Sequence, residues 1–158
     1  MYVAVPRLRD EKCFVELDPE KIEEYHRATT ISGSSELGVQ VGPDEVASID
    51  LVVSGSVAVT EQGGRIGKGE GYSDLEYAIL RGLGLVDETT PVATTVHGMQ
   101  VVADEVAVEA HDVPMDVIVT PERAIRPGGE FSKPSGIDWS ALSEERIEEM
   151  PVLQALEP

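Results

Sequence analysis

Gly64-Arg65-Ile66-Gly67-Lys68-Gly69-Glu70-Gly71-Tyr72-Ser73-Asp74 is the stretch around which the rest of this chain is read. Alternate glycines let backbone N–H groups approach a ligand closely and turn toward it. Arg65 and Lys68 place positive charge among them, suited to phosphate oxygens. Asp74 opens the next apolar-periodic segment, where it is placed either to cap a helix or to hold a metal. The stretch therefore reads as a polyphosphate cradle. It is not the Walker pattern, because Ser73 does not follow a Gly-Lys pair.

The flanks of the loop set the fold class. Two β-branched runs, residues 49–53 and 57–60, lead into it, separated by Ser54-Gly55-Ser56. Beyond it Leu75, Ala78, Ile79 and Leu83 fall at helical spacing, with Gly82 and Gly84 as stops. Residues 91–96 and 116–120 read as further strands, ending at His97-Gly98 and Pro121. Strands alternating with helices predict an α/β domain with a partly parallel sheet. Ligands of such sheets sit at the carboxyl ends of strands. On that rule the glycine loop, His97-Gly98 and Thr120-Pro121 are expected at one edge.

Nearer the N-terminus, residues 2–6 and 13–17 read as strands joined by the charged turn Arg9-Asp10-Glu11-Lys12. Asp18-Pro19-Glu20 predicts a helix to about Arg27, with Asp18 as N-cap and Pro19 in its first turn. Ser32-Gly33-Ser34-Ser35 reads as loop. Residues 1–126 are expected to form the α/β domain and residues 127–158 an acidic C-terminal tail, extended or mobile, with a short helix around Glu144 to Glu149.

Composition narrows the function classes. The chain has 158 residues, enough for one core, and 41% of them are apolar. Its net charge is −18, from 30 acids against 12 bases. A general nucleic-acid binder carries the opposite sign. The acids are spread along the chain, which favours adaptation to high salt over a surface for a basic partner or a disordered acidic protein. A single cysteine, Cys13, excludes an internal disulfide and a cysteine-based zinc site, and fits a reducing cytoplasm. No apolar stretch is long enough for a transmembrane helix, and the N-terminus has no signal-peptide pattern.

At the glycine loop the sequence resembles the nucleotide-binding signature of the 5-formyltetrahydrofolate cyclo-ligases (methenyltetrahydrofolate synthetases). Ile49-Asp50-Leu51-Val52-Val53 resembles the family's preceding strand. Gln100-Val101-Val102 and the run from His111-Asp112-Val113-Pro114 to Thr120 resemble its later motifs. Gly69-Glu70-Gly71-Tyr72-Ser73-Asp74-Leu75-Glu76 is similar to the subgroup called cyclo-ligase-domain-containing proteins. The resemblance implies a three-layer Rossmann-like α/β fold shared with CoA-transferase and sugar-phosphate isomerase relatives. It also implies an N-terminal shortening, since residues 1–6 match an internal strand of the family.

The implied activity is the ATP- and magnesium-dependent conversion of 5-formyltetrahydrofolate to 5,10-methenyltetrahydrofolate, with folate and ATP as small-molecule partners. Carried over by residue, Gly64, Arg65, Ile66, Gly67, Lys68, Gly69, Glu70, Gly71 and Tyr72 would form the ATP-binding loop. Lys68 and Tyr72 would be its catalytic members. Asp74 and Asp112 match the family's magnesium-associated carboxylates. Where the family usually carries two tyrosines before the aspartate, the second is here Ser73. A non-catalytic nucleotide- or folate-binding protein is the alternative from another class. His97 and His111 are candidate acid–base groups, each with a local hydrogen-bonding role as the plainer alternative. Arg123 is placed either to reach a phosphate or to form a surface ion pair.

Overall fold

A computed structural model describes residues 1–157 of the chain as a mixed α/β protein with several sheets. The strands run β1 (Tyr2–Ala4), β2 (Phe14–Glu16), β3 (Val39–Val41), β4 (Val52–Val53), β5 (Ala58–Thr60), β6 (Arg65–Ile66), β7 (Val92–Thr95), β8 (Val101–Val102), β9 (Val117–Val119) and β10 (Ala124–Ile125). The helices are α1 (Tyr25–Ala28), α2 (Ile31–Leu37), α3 (Tyr72–Gly82), α4 (Glu144–Glu148) and α5 (Pro151–Leu156). Contacts divide the chain into two compact units. One comprises Met1–Ala47 with the stretch from Asp138 onward; the other is Ser48–Ile137.

In the first unit, β1 and β3 flank β2, both antiparallel to it, with Ala4 opposite Phe14 and Phe14 opposite Val41. Val15, Leu17, Ile22 and Ala28 form a buried cluster, with Val5 packed against it. The helix expected from Asp18 is confined to Tyr25–Ala28. Asp18 still accepts a bond from the Glu20 N–H at 3.0 Å, but it closes a turn. Between Leu17 and Ala28 only Ile22 is a buried apolar residue, so no stripe at three-to-four spacing exists to hold a longer helix.

The serine-rich stretch expected to be loop is helical instead. Thr30 caps α2 by accepting from the Gly33 N–H at 3.0 Å, and the Ser34 and Ser35 hydroxyls both donate to the Ile31 carbonyl. Gly33 permits a close crossing: a Cβ there would lie 1.9 Å from the Arg27 carbonyl oxygen. The C-terminal stretch also folds rather than extending. Ser143 caps α4, Pro151 starts α5, and Met150, Val152 and Leu153 are almost fully buried.

In the second unit, β4, β7 and β9 are parallel neighbours, and β10 adds antiparallel to β9. Val52 lies opposite Val92, and Thr94 opposite Ile118. A second sheet sets β5 between β6, antiparallel, and β8, parallel. Val59, Val92, Thr94 and Ile118 are fully buried, as strands of a covered sheet should be. α3 buries Leu75, Tyr77, Ala78, Ile79 and Leu80. Leu83, expected on that buried face, caps the helix C-terminus and is 40% exposed.

Lys133 ties down the stretch after β10. Its buried ammonium donates to the carbonyls of Glu88 and Thr90 at 3.0 and 2.8 Å and pairs with Asp116 at 2.8 Å. No helix among the described residues is long and apolar enough to cross a membrane.

Candidate functional site

The site grows from the connection between β6 and α3. A tight turn before β6 leads into it, with the Gly64 N–H donating to the Thr60 hydroxyl at 3.1 Å and the Thr60 N–H to the Gly64 carbonyl at 2.9 Å. The chain then reaches Gly69 and Gly71, at φ +83° and +68°. A Cβ at either would meet no atom within 4 Å, so left-handed backbone, not space, requires glycine there. Gly71 is the N-cap of α3, which begins at Tyr72. The N–H groups of the first turn thus follow directly on the glycine loop.

Asp74 does not cap this helix. It sits inside the first turn, buried, and its Oδ1 receives both the Arg65 guanidinium and, at 3.0 Å, the Val113 N–H. The Arg65 side chain is only 6% exposed. Its Nη1 also donates to the Gly55 carbonyl at 3.4 Å, and among the described residues its buried Nε has no hydrogen-bond partner. Gly67 makes room for it, since a Cβ there would lie 2.9 Å from Nη1. Arg65 is therefore a brace between loop, helix and the 113 segment. Lys68 is exposed, and among the described residues it forms no ion pair. It is the loop cation available to a ligand.

Glu76 lies half-buried close to this pair. Burial and the neighbouring Asp74 charge push its carboxyl up to about 7, and Arg65 partly offsets them.

A cavity of about 580 Å³ opens here. Its walls are residues 55–57 after β4, Arg65, the loop from Gly67 to Asp74, and His111 with Asp112. The structure thus brings Arg65, Gly67, Lys68, Gly69, Glu70, Gly71, Tyr72, Asp74 and Asp112 to one cavity. Gly64 and Ile66 do not line it: Gly64 is buried in its turn, and Ile66 is in β6. His97-Gly98 and Thr120-Pro121 are also outside the lining, although both follow the carboxyl ends of the parallel neighbours β7 and β9, where Thr95 lies opposite Val119. His97 instead accepts from the Met99 N–H through Nδ1 at 3.2 Å. Arg123 forms an exposed ion pair with Glu61.

Sequence reasoning passed over the wall at residues 55–57. Its signal was present, as Ser54-Gly55-Ser56 directly after a β-branched run, the position where parallel sheets bind ligands. Ser56 is fixed there by a 2.9 Å hydroxyl–hydroxyl bond to buried Thr94.

The donor set fits magnesium shared with a phosphate ligand. Every hydrogen bond given to Asp74 falls on Oδ1, and the one given to Asp112, from the Glu109 N–H at 2.8 Å, falls on Oδ2. Among the described residues Asp74 Oδ2 takes none of these bonds, while Asp112 Oδ1 lies 3.8 Å from the Nε2 of His111. Asp112 immediately precedes Val113, which Asp74 holds, so the two carboxylates belong to one hydrogen-bonded corner. Among the described residues no group of three or more His, Cys, Asp or Glu could hold a metal. Magnesium, which keeps waters and takes phosphate oxygens, suits such a sparse protein contribution.

Residues 2–121 match the 5-formyltetrahydrofolate cyclo-ligase family. Relatives named methenyltetrahydrofolate synthase domain-containing protein align with most of the chain. The bovine protein is 49% identical and the human one 48%, each over 131 residues, covering 82% of this chain and 34% of the relative. The zebrafish protein is 42% identical over 160 residues, covering 99% of this chain and 42% of the relative. The chain thus spans about a third of the length of the mammalian relatives it matches.

Proposed function

The chain belongs to the 5-formyltetrahydrofolate cyclo-ligase family, and from that premise we propose that its cavity binds Mg-ATP and a formylated folate and closes the 5,10-methenyl ring. The observation that carries this reading is the convergence of the glycine loop, unpaired Lys68, Asp74 and Asp112 on one cavity. We place that cavity in a Rossmann-like α/β domain of a cytoplasmic protein.

The chemistry needs three things of the protein. The formyl oxygen takes a phosphoryl group, so charge moves across the cavity, and fixed donors must meet it. The N–H groups of the glycine loop and the α3 N-terminus supply such donors, and Lys68 supplies the mobile cation. Tyr72, at the start of α3, is positioned to hold the ligand against the loop. Magnesium, when bound, would neutralise phosphate oxygens, and Asp74 and Asp112 are the residues that would hold it.

A second reading has its own support. The relatives are named for containing the domain, and Ser73 stands where the family usually carries a tyrosine. On that reading the cavity binds nucleotide or folate without turnover. Calorimetric titration of the chain with Mg-ATP in molar KCl, followed by an absorbance assay for methenyltetrahydrofolate, tests both. Saturable binding with ring closure supports the ligase. Binding without turnover supports the binding protein. No binding by folded chain removes both.

A further inference from the structure

We propose that Gln100, which does not line the cavity, is the positioning residue that fixes the cavity wall at residues 55–57 for an anionic ligand. The proposal rests on the nucleotide reading of the cavity for its ligand, but on the wall's own hydrogen bonds for its geometry.

Gln100 ends a short 3₁₀ turn, Gly98–Gln100. Its amide nitrogen donates to two successive carbonyls of the wall, Ser56 at 3.2 Å and Val57 at 2.9 Å. Its amide oxygen accepts from the His97 N–H at 2.8 Å. The side chain thus has both its donor and acceptor ends engaged, which locks its rotamer and the orientation of the amide. The preceding carbonyl, Gly55, is covered by Arg65 at 3.4 Å. Three consecutive carbonyl oxygens on the wall are therefore occupied by side-chain donors.

The consequence is electrostatic. Bare carbonyl oxygens facing a cavity repel a polyphosphate. Here two side chains that carry no negative charge hold those oxygens, so the wall adds no bare acceptor row to the cavity that Lys68 also lines. The wall is also the link between β4 and β5, which belong to different sheets; backbone bonds hold its two ends, from the Ser54 N–H to the Ala93 carbonyl at 2.9 Å and from the Val57 N–H to the Ile66 carbonyl at 2.8 Å. Its remaining side-chain anchor is the Ser56–Thr94 bond. Gln100 stands 43 residues from Val57, so the clamp is a tertiary contact and not a local turn.

Gln100→Met keeps the length and removes the bonds. Gln100→Glu keeps the acceptor for His97 and sets a carboxylate against the two carbonyls. The expected result is Mg-ATP affinity about tenfold weaker for Gln100→Met and weaker still for Gln100→Glu, each with a melting temperature close to the parent. Hydrogen exchange on the unliganded chain gives a readout independent of nucleotide. The Val57 amide, which donates to the Ile66 carbonyl at 2.8 Å, should exchange faster in both variants. Unchanged exchange at Val57 overturns the proposal whether or not the chain binds ATP. Unchanged affinity in a chain that does bind also overturns it. Loss of the fold in either variant overturns it too, by making Gln100 a folding element. If the parent chain binds no nucleotide while exchange responds as expected, the nucleotide reading fails and the clamp stands.

Discussion

The Arg65 guanidinium and the Asp74 carboxylate form an ion pair whose side chains are only 6% and 11% exposed, at the point where the glycine loop turns into α3. Removing one partner leaves the other charge buried. Asp74→Ala is therefore expected to cost about 3 kcal/mol or more of stability, and Asp74→Asn, which keeps an acceptor for Val113, distinctly less. Urea unfolding of the two variants checks the order. Equal costs would mean that Asp74 serves the Arg65 charge alone and that the acceptor for Val113 adds nothing.

Lys68 should behave in the opposite way. It is exposed and has no ion pair among the described residues, so Lys68→Ala is expected to leave the melting temperature unchanged. Mg-ATP affinity should fall about tenfold or more, the loss of a charge-assisted contact. Calorimetry beside a thermal melt separates the two effects.

Gly71 needs its left-handed backbone and has open space around its Cα. Gly71→Ala is expected to cost about 1 kcal/mol through backbone strain alone. Gly33→Ala should cost more, because its Cβ would collide with the Arg27 backbone. Thermal denaturation of the pair distinguishes strain from collision.

The pH dependence of stability should carry the mark of Glu76. Its carboxyl is pushed from 4.5 up to about 7 in the fold, so the folded chain holds a proton that the unfolded chain has lost. The associated stabilisation is complete below about pH 4.5 and is lost as pH rises toward and through about 7. In metal-free buffer, Glu76→Gln should flatten stability over that window and raise it at pH 8. Melting curves from pH 5 to 8 read this directly. The same slope in parent and variant would rule out a Glu76 contribution.

A net charge of −18 also predicts a salt response. Screening should raise the melting temperature in molar KCl relative to dilute buffer. Equal melting would argue against salt adaptation.

The α/β class and the turns of the glycine loop were legible because their signals are local. Glycines with positive φ, β-branched runs and the apolar spacing of α3 act through backbone and burial within a few residues. What stayed hidden depends on distant partners. Arg65 reads as a ligand cation until Asp74 and the Gly55 carbonyl occupy it. Asp74 reads as a cap, but Gly71 takes that place and leaves the carboxylate for Arg65 and Val113. The Ser32-to-Ser35 stretch reads as loop because serine and glycine are weak helix formers. Its hydroxyls instead bond the helix's own carbonyl, and Thr30 caps it. Gln100 carries no pattern of its own, since its two carbonyl partners lie more than forty residues upstream.

The buried Lys133 ammonium gives the chain an internal chemical standard. Three oxygens, from Glu88, Thr90 and Asp116, enclose an amine that in other settings would be open to acylating reagents. Lys12 and Lys21 sit in exposed pairs, and Lys68 is an exposed residue of the cavity lining. Under mild amine labelling the cavity lysine should react early and Lys133 last, so their ratio by mass spectrometry reports occupancy and folding in a single digest. Ligand would shield Lys68 alone, whereas unfolding would expose Lys133.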